Sequence, residues 1–551
     1  MSKKRVEKES DNKAKAAYMR LEALKQDRQN FDQHWQEIAD YFIPNKNTIT
    51  RESTAGEKRN LHIYDSTPIK SNELLAGALH SMLTNPTSYW FEFTTGVPEL
   101  DKDDDVRLWL QRSAQIMHEV LNNSNFQTEI HELYLDEGSF GIGIMSIEED
   151  DEFVVRFRSR HVSNCWVDEN NKGFIDTLFY CYKWKPRQII AEFGEETPDF
   201  VLEKDKSNPE EKLELLQVVE PNQNYDKAKR LSVEGKRYSS CTYIKDGNDH
   251  FTLEEQGFNT FPYVTPRWTK GTGEKYGRSP AMTCLPDAKM INAMMQETIR
   301  AQQKATNPPM LIPDDGVVGS LRLTPGGLNY YRAGNGDFIK PLQSEVNLVL
   351  SFQMLEDVRK RIRDCFYIDQ LQLQEGPQMT ATEVMQRTEE KIRLLGPILG
   401  RQHSELLRPL IERVYEILEK RKLIPQPPQA LSGRKIDVKY RSMLAKAQLA
   451  QEANNIMRVF QAAAPFIQLD QKAADVINCE EGVKFISNLY GLPQDIMRDK
   501  AAVEQIRQGR DQAQAQAVQA AQNQMGAEQV AKVAPAVKIA ADVQRGGSPA
   551  Q

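Results

Sequence analysis

Residues 271–282 read GTGEKYGRSPAM, and three glycines with a lysine ahead of an apolar stretch are the ingredients of a phosphate-binding loop. In such loops glycine lets backbone N–H groups approach phosphate oxygens, and the following helix N-terminus adds its dipole. The spacing here does not match. Gly271, Gly273 and Gly277 follow G-x-G-x-x-x-G, one residue longer than the dinucleotide fingerprint, and no Gly-Lys-Ser or Gly-Lys-Thr occurs in the chain. The preceding FPYVTPRWTK carries Pro262 and Pro266, which a central strand does not accept. A glycine-rich turn leading into a helix is the simpler reading.

Other reactive residue types are present without the spacing that chemistry requires. Histidines stand at 34, 62, 80, 118, 131, 161, 250 and 403; none forms H-E-x-x-H or pairs with cysteine at zinc spacing. No G-x-S-x-G elbow occurs. The acidic runs DKDDD (101–105) and EEDDE (148–152) could bind a divalent cation, and a nuclease or other metal enzyme could be built on them. A helix start or a solvated turn explains them more simply. Cysteines at 165, 181, 241, 284, 365 and 479 form no C-x-x-C pair, which fits a reducing compartment with thiols acting as small apolar groups. No catalytic, cofactor or metal constellation is expected.

The totals narrow the classes further. With 551 residues, 27% charged and 40% hydrophobic, the chain has ordinary soluble composition and room for several structural units. A net charge of −7 argues against a sequence-tolerant nucleic-acid binder, which gains affinity by neutralising phosphates. The start, MSKKRVEKESDNK, has no apolar core of a secretory signal, and no run of about 18 apolar residues predicts a membrane span.

The elements that must position any site are mainly helices, in an α+β chain. Apolar periodicity predicts helices over 14–42, over the stretch opening at Tyr64 and stopped by Asn85-Pro86, and over 104–122. Asp65 or Ser66 can cap the second, with Pro68 in its first turn. From 140 to 270 the pattern turns to alternating β-rich runs, with Asp246-Gly247 as a hairpin turn.

Two further helices are closely matched. Residues 285–305 carry a stripe of Ala288, Ile291, Met294, Met295, Thr298 and Ile299; residues 345–366 carry Leu348, Phe352, Leu355, Val358, Ile362 and Phe366. At about 1.5 Å per residue each spans roughly 30 Å. They bracket a Pro- and Gly-rich module. Thr380 and Glu383 then form a capping box that opens a long helix, which Gly396-Pro397 and Pro409 should kink. The last forty residues are Ala- and Gln-rich, with too few large apolar side chains to anchor a helix except by self-association.

This order of segments resembles the portal, or head-to-tail connector, proteins of short-tailed bacteriophages. The stretches that carry it are HWQEIADYFIP, YDSTPIKSNELLAGALHSMLTNPTSYWFEF, DEGSFGIGIMSIEED, PRWTKGTGEKYGRSPAMTCLPDAKMIN and MTATEVMQRTEEKIRLLGPILGRQHSELLRPLIERV. Together they cover roughly residues 17–420; the C-terminal hundred residues are less diagnostic.

The resemblance implies a predominantly helical α+β portal fold. Its parts would be a wing (1–280), a first stem helix (281–305), a clip (306–344), a second stem helix (345–368), a tunnel loop (369–380), a long kinked wing helix with linker (381–440), and a crown with a possible helical barrel (441–551). It further implies a homo-oligomeric ring, usually of twelve subunits, at one capsid vertex of the virion, assembled in the host cytoplasm. Double-stranded DNA would enter and leave through its channel. The implied partners are the major capsid protein, a scaffolding protein, the terminase packaging motor and a tail adaptor. No enzymatic activity, cofactor or membrane is implied.

Twelve copies of the second stem helix about 10 Å apart trace a circle about 38 Å across, and one helix width less leaves a bore of roughly 28 Å, which passes a hydrated duplex. The channel-lining candidates are Arg359, Lys360, Arg363, Gln372, Gln374, Glu375 and Gln378; the basic ones could instead pair between subunits with Glu356, Asp357 or Asp364. The clip docking candidates are Arg322, Tyr330, Tyr331, Arg332 and Lys340, whose types often anchor interfaces and could equally cement neighbouring clips. The alternative reading is a helical scaffolding or adaptor protein without a DNA channel.

Overall fold

The computed structural model describes residues 2–306 apart from 53, 55, 230, 231 and 248, then 310–311, 340–341, 348–368, 396–431, 436–440, 456–462, 482–483, 487, 503–517 and 519. The chain divides into two compact units. One comprises residues 1–94, 111–426 and 436–447; the other comprises 95–110, 427–435 and 448–551.

The first unit is organised around a helix laid on a sheet. Helix α1 (Ser2–Phe42) starts well before the periodic apolar stripe, and its first twelve residues are mostly Lys, Arg and Glu, which are good helix formers. Its Ala14, Ala17, Leu21 and Leu24 pack on Trp166, Phe179, Leu216, Val218 and Tyr243 of the sheet. That sheet has five antiparallel strands in chain order: β4 (Cys165–Glu169), β5 (Ile175–Trp184), β6 (Leu213–Pro221), β7 (Tyr238–Asp246) and β8 (Asp249–Phe258). Side chains alternate across its faces. On β6, Leu216 and Val218 meet α1, while Leu213 and Leu215 meet Ile189 and Val201. The latter two lie on the short helices α5 (Pro186–Phe193) and α6 (Asp199–Ser207), which the sequence reading did not anticipate. The expected turn at Asp246-Gly247 joins β7 to β8, with Gly247 at φ +58°.

Beside this layer stand α2 (Thr67–Leu83), α4 (Phe126–Phe140) and a three-stranded sheet ordered β3-β2-β9, with β2 at Met145–Asp150, β3 at Val154–Ser159 and β9 at Tyr263–Val264. Asp65, rather than Ser66, serves the start of α2: its Oδ1 accepts from the Thr67 N–H at 2.8 Å, and Ser66 makes no side-chain cap. Helix α4 was not anticipated. It buries Asp136, Glu137 and Ser139 along with Ile130, Leu133 and Phe140, so no polar stripe marks it. Strand β1 (Phe91–Thr94) pairs antiparallel with β14 (Asp437–Tyr440).

Helix α3 (Asp104–Asn123) begins at the DKDDD run, which therefore supplies a helix start: Asp104 and Asp105 lie in the first turn, where carboxylates are favoured. Within the second unit, Asp101 accepts from the Thr95 N–H at 2.9 Å and from its hydroxyl at 2.7 Å.

The two matched helices are α7 (Pro280–Thr306) and α8 (Leu348–Cys365), and they pack against each other. Leu355, Val358, Ile362 and Phe366 are buried as expected, but Phe352 is 45% exposed. Beyond Thr298 the side chains of α7 are mostly exposed as well, so this end of the pair lacks a covering layer within the described residues. The expected long helix is described from residue 396; residues 381–395 lie outside the described residues. A π-turn occupies Gln402–Leu407, immediately before α9 (Arg408–Lys420). Its cause is Pro409. With no N–H for the carbonyl of Glu405 and a ring that would clash there, the helix widens, and the Arg408 N–H reaches back five residues to His403.

Candidate nucleic-acid interface

The glycine-rich segment launches α7. Short strands β10 (Thr269–Lys270) and β11 (Gly277–Arg278) pair as a hairpin, and Gly273 turns it at φ +78°. Ser279 then caps the helix: its Oγ accepts from the Met282 N–H at 3.0 Å and donates to the Ser139 carbonyl at 2.6 Å. Pro280 follows as the first helical residue, where its missing N–H costs nothing.

The charges of this hairpin are engaged. Lys275 pairs with Asp168 at 3.0 Å, Lys270 with Glu169 at 2.6 Å, and Arg278 with Glu274. Tyr276 is buried and accepts from the Val167 N–H. At the base, Arg267 is 1% exposed, and its donors are satisfied by Glu405 (Nε 3.0 Å, Nη2 2.9 Å), Glu169, and the carbonyls of Gly173 and Lys275. The loop is thus a clamp that ties the helix launch to β4 and to the π-turn, with no lysine held out for a phosphate.

Helix α7 is anchored at its side. Lys289 pairs with Glu37 of α1 at 2.7 Å, and Asn292 Oδ1 accepts from the Tyr64 and Asp65 N–H groups at 2.8 and 3.1 Å. Asp65 in turn takes both Nε and Nη2 of Arg359 on α8, at 3.0 and 2.8 Å. Burial alone would raise the Asp65 carboxyl, but the bonds from Thr67 and Arg359 outweigh it and hold it below the usual range. One residue therefore joins three helices: the Asp65 carboxylate holds the start of α2 and the middle of α8, and its N–H holds the side of α7.

The remaining basic residues of α8 divide by face. Arg359 and Arg363 both bond Glu356, at 3.1 and 2.6 Å, and their hydrogen bonds hold that carboxyl low. Arg361 reaches Asp287 of α7 at 3.6 Å. Lys360 is exposed and has no ion-pair partner among the described residues. With Gln353, Asp357 and Asp364 it forms an exposed row at steps of three and four, opposite the buried row of Leu355, Val358 and Ile362.

Of the sequence candidates, Arg359, Lys360 and Arg363 therefore lie on one helix, two of them tied to acids of the same chain. Gln372, Gln374, Glu375 and Gln378 lie outside the described residues, as do Arg322, Tyr330, Tyr331 and Arg332; Lys340 lies in the two-residue strand β13 (Lys340–Pro341), paired with β12 (Met310–Leu311). The sequence reading missed the Asp65–Arg359 and Arg267–Glu405 links, which join segments far apart and leave no periodic trace. Among the described residues no cluster of His, Cys, Asp or Glu is placed to hold a metal ion, and no helix is long and apolar enough to cross a membrane.

The described residues thus form a mixed helix-and-strand chain whose two long helices are clamped at their launch and along their sides. The family model described as bacteriophage head to tail connecting protein matches residues 14–497, and the chain belongs to that family. The probable portal protein of Bordetella phage BPP-1 is 30% identical over 518 residues, 93% of each chain. The portal protein of Salmonella phage epsilon15 is 28% identical over 521 residues, again 93% of each. A solved structure titled as the neck of an empty GTA particle, computed with C6 symmetry, aligns at a TM-score of 0.35 and 11% identity, covering 77% of this chain and 95% of that one. The protein is a phage portal, or head-tail connector: a virion component without enzymatic activity.

Proposed function

We propose that copies of this chain close into a ring, usually of twelve, at one vertex of the capsid, and that double-stranded DNA passes through the bore during packaging and ejection. In this reading α7 and α8 form the stem, the segment between them the clip, the region before α7 the wing, and residues from 441 onward the crown. Assembly takes place in the host cytoplasm, with the major capsid protein and a scaffolding protein. The clip meets the terminase motor during filling and a tail adaptor afterwards.

The observation that carries this reading is the row Gln353, Asp357, Lys360 and Asp364 on α8. Turned toward the bore, it presents two carboxylates, one amide and a single ammonium. The neighbouring arginines are already neutralised by Glu356, Asp65 and Asp287. A conduit must let phosphates slide, and each phosphate it neutralises adds affinity. A lining that is acidic with isolated cations meets that need.

Electron microscopy of the purified full-length chain at low and high concentration tests the reading. Rings with a central hole, near twelve-fold, support it. Filaments or compact oligomers without a hole would favour a scaffolding or adaptor role instead.

A further inference from the structure

We propose that Cys284 of α7 and Cys365 of α8 are a dithiol pair that closes to a disulfide across the two long helices when the protein meets a small-molecule disulfide. The two helices run antiparallel, and the Arg361–Asp287 pair at 3.6 Å gives their register. Four residues onward on α8 and three residues back on α7 stand Cys365 and Cys284, one helical turn along each. Their side chains share a hydrogen bond.

The two thiols are unequal in a way that suits stepwise exchange. Cys284 is buried, and its bond to Cys365 together with burial holds its proton tightly. Cys365 is half-exposed, and the hydrogen bond it receives from Cys284 lowers it to about 7, against the opposing effects of burial and of Asp287 and Asp364. Burial pushes Cys165 and Cys181 up to about 12 and raises Cys241, so none of these is comparably nucleophilic.

The chemistry balances with oxidised glutathione as the oxidant. The Cys365 thiolate attacks one glutathione sulfur, and the departing glutathione thiolate takes up a proton. Cys284 then loses its proton and attacks the Cys365 Sγ, forming the protein disulfide and expelling the second glutathione. Two protein thiols are oxidised and one small disulfide is reduced. For a virion protein, a consequence that rests on the reading above, the helices would be untied in the reducing host and tied after release.

The test uses the full-length chain, reduced and then exposed to oxidised glutathione at neutral pH without denaturant. Free thiols are alkylated, and the unreduced protein is digested and mapped by mass spectrometry. A linked Cys284–Cys365 peptide pair is expected in the wild type. Cys284→Ser should instead keep a stable glutathione adduct on Cys365, and Cys365→Ser should leave Cys284 unmodified. Wild-type protein that retains both thiols, or that accumulates glutathione on Cys365 without the cross-link, would overturn the proposal. The mapping reads thiol chemistry alone, so its result is independent of whether rings form.

Discussion

Gly141 and Gly277 press their backbones together: a Cβ on Gly141 would stand 2.5 Å from the carbonyl oxygen of Gly277, and one on Gly277 would come closer still to that of Gly141. The contact lies where α4 ends and α7 is launched. The last carbonyls of α4 have no partner within their helix. Here Ser139 receives the Ser279 hydroxyl at 2.6 Å, Phe140 the Trp35 indole N–H at 2.8 Å, and Gly141 the Trp268 N–H at 2.9 Å. Three distant segments converge on one helix end, which requires that neither chain carry a side chain there.

Replacing Gly277 with alanine should therefore lower stability through backbone overlap alone, by about 1–3 kcal/mol. Gly273→Ala is the matched control. It sits at φ +78° with open space around it, so only the conformational penalty of about 1–2 kcal/mol applies. Denaturant unfolding of both variants separates the two effects. Wild-type stability in Gly277→Ala would mean that the approach of the two backbones is not required.

Glu137 predicts a pH dependence. Its side chain is fully buried and hydrogen-bonded to Gln402 on the π-turn, and burial pushes its carboxyl up to about 8, a rise reinforced by Glu405. Glu137 Oε2 and Gln402 Oε1 are both without hydrogen-bond partners. A proton on Oε2 makes one of these two acceptors a donor. The folded state then binds this proton more tightly than the unfolded chain, so stability should fall as pH rises from about 4.5 to about 8, by a few kcal/mol at most. His161 and His403, lowered mainly by burial, act in the opposite direction. Subtracting the stability curve of Glu137→Gln from that of the wild type isolates the carboxyl. Parallel curves from pH 5 to 8 would show that Glu137 does not carry the proton.

Arg267 and Glu405 should behave as one unit. The guanidinium is 1% exposed and takes both oxygens of the carboxylate. Arg267→Met takes the bidentate cation from Glu405, leaving it Arg401 at 3.2 Å, and leaves Glu169 to Lys270 at 2.6 Å; it should cost about 1.5–3 kcal/mol. Adding Glu405→Gln should cost less than the sum of the two singles, with a coupling of about 1–3 kcal/mol by double-mutant cycle. Additive losses would mean that the clamp acts through separate contacts.

The fold was legible wherever one face of an element is buried and the other wet. The stripe of α1, the alternation of the five-stranded sheet and the buried row of α8 all belong to that case. Helix α4 was missed because it carries Asp136, Glu137 and Ser139 inside, each supplied with polar neighbours by distant segments. Pro409 signalled an irregular helix, and a π-turn is the form it takes; that the Glu405 side chain on this turn meets Arg267 from a distant segment is what local sequence cannot reveal. Phe352 belongs to the same periodic row as Leu355, Val358 and Ile362, yet it is exposed because covering that row takes a partner surface as well as periodicity.

The basic residues of α8 give a last prediction, which separates structure from conduit. Arg359→Ala removes the guanidinium from Asp65, whose carboxylate is 4% exposed and also serves the start of α2. An uncompensated carboxylate at that junction should destabilise the folded chain by roughly 1–3 kcal/mol, visible as a lower unfolding midpoint. Lys360→Ala touches no ion pair among the described residues and should leave the midpoint within about 0.5 kcal/mol of wild type. If the exposed row of α8 meets DNA, Lys360→Ala should still change packaging rate, in particles whose rings assemble normally. A variant that packages at the wild-type rate would remove Lys360 from the channel, whereas a variant that fails to form rings would place it in a contact between subunits.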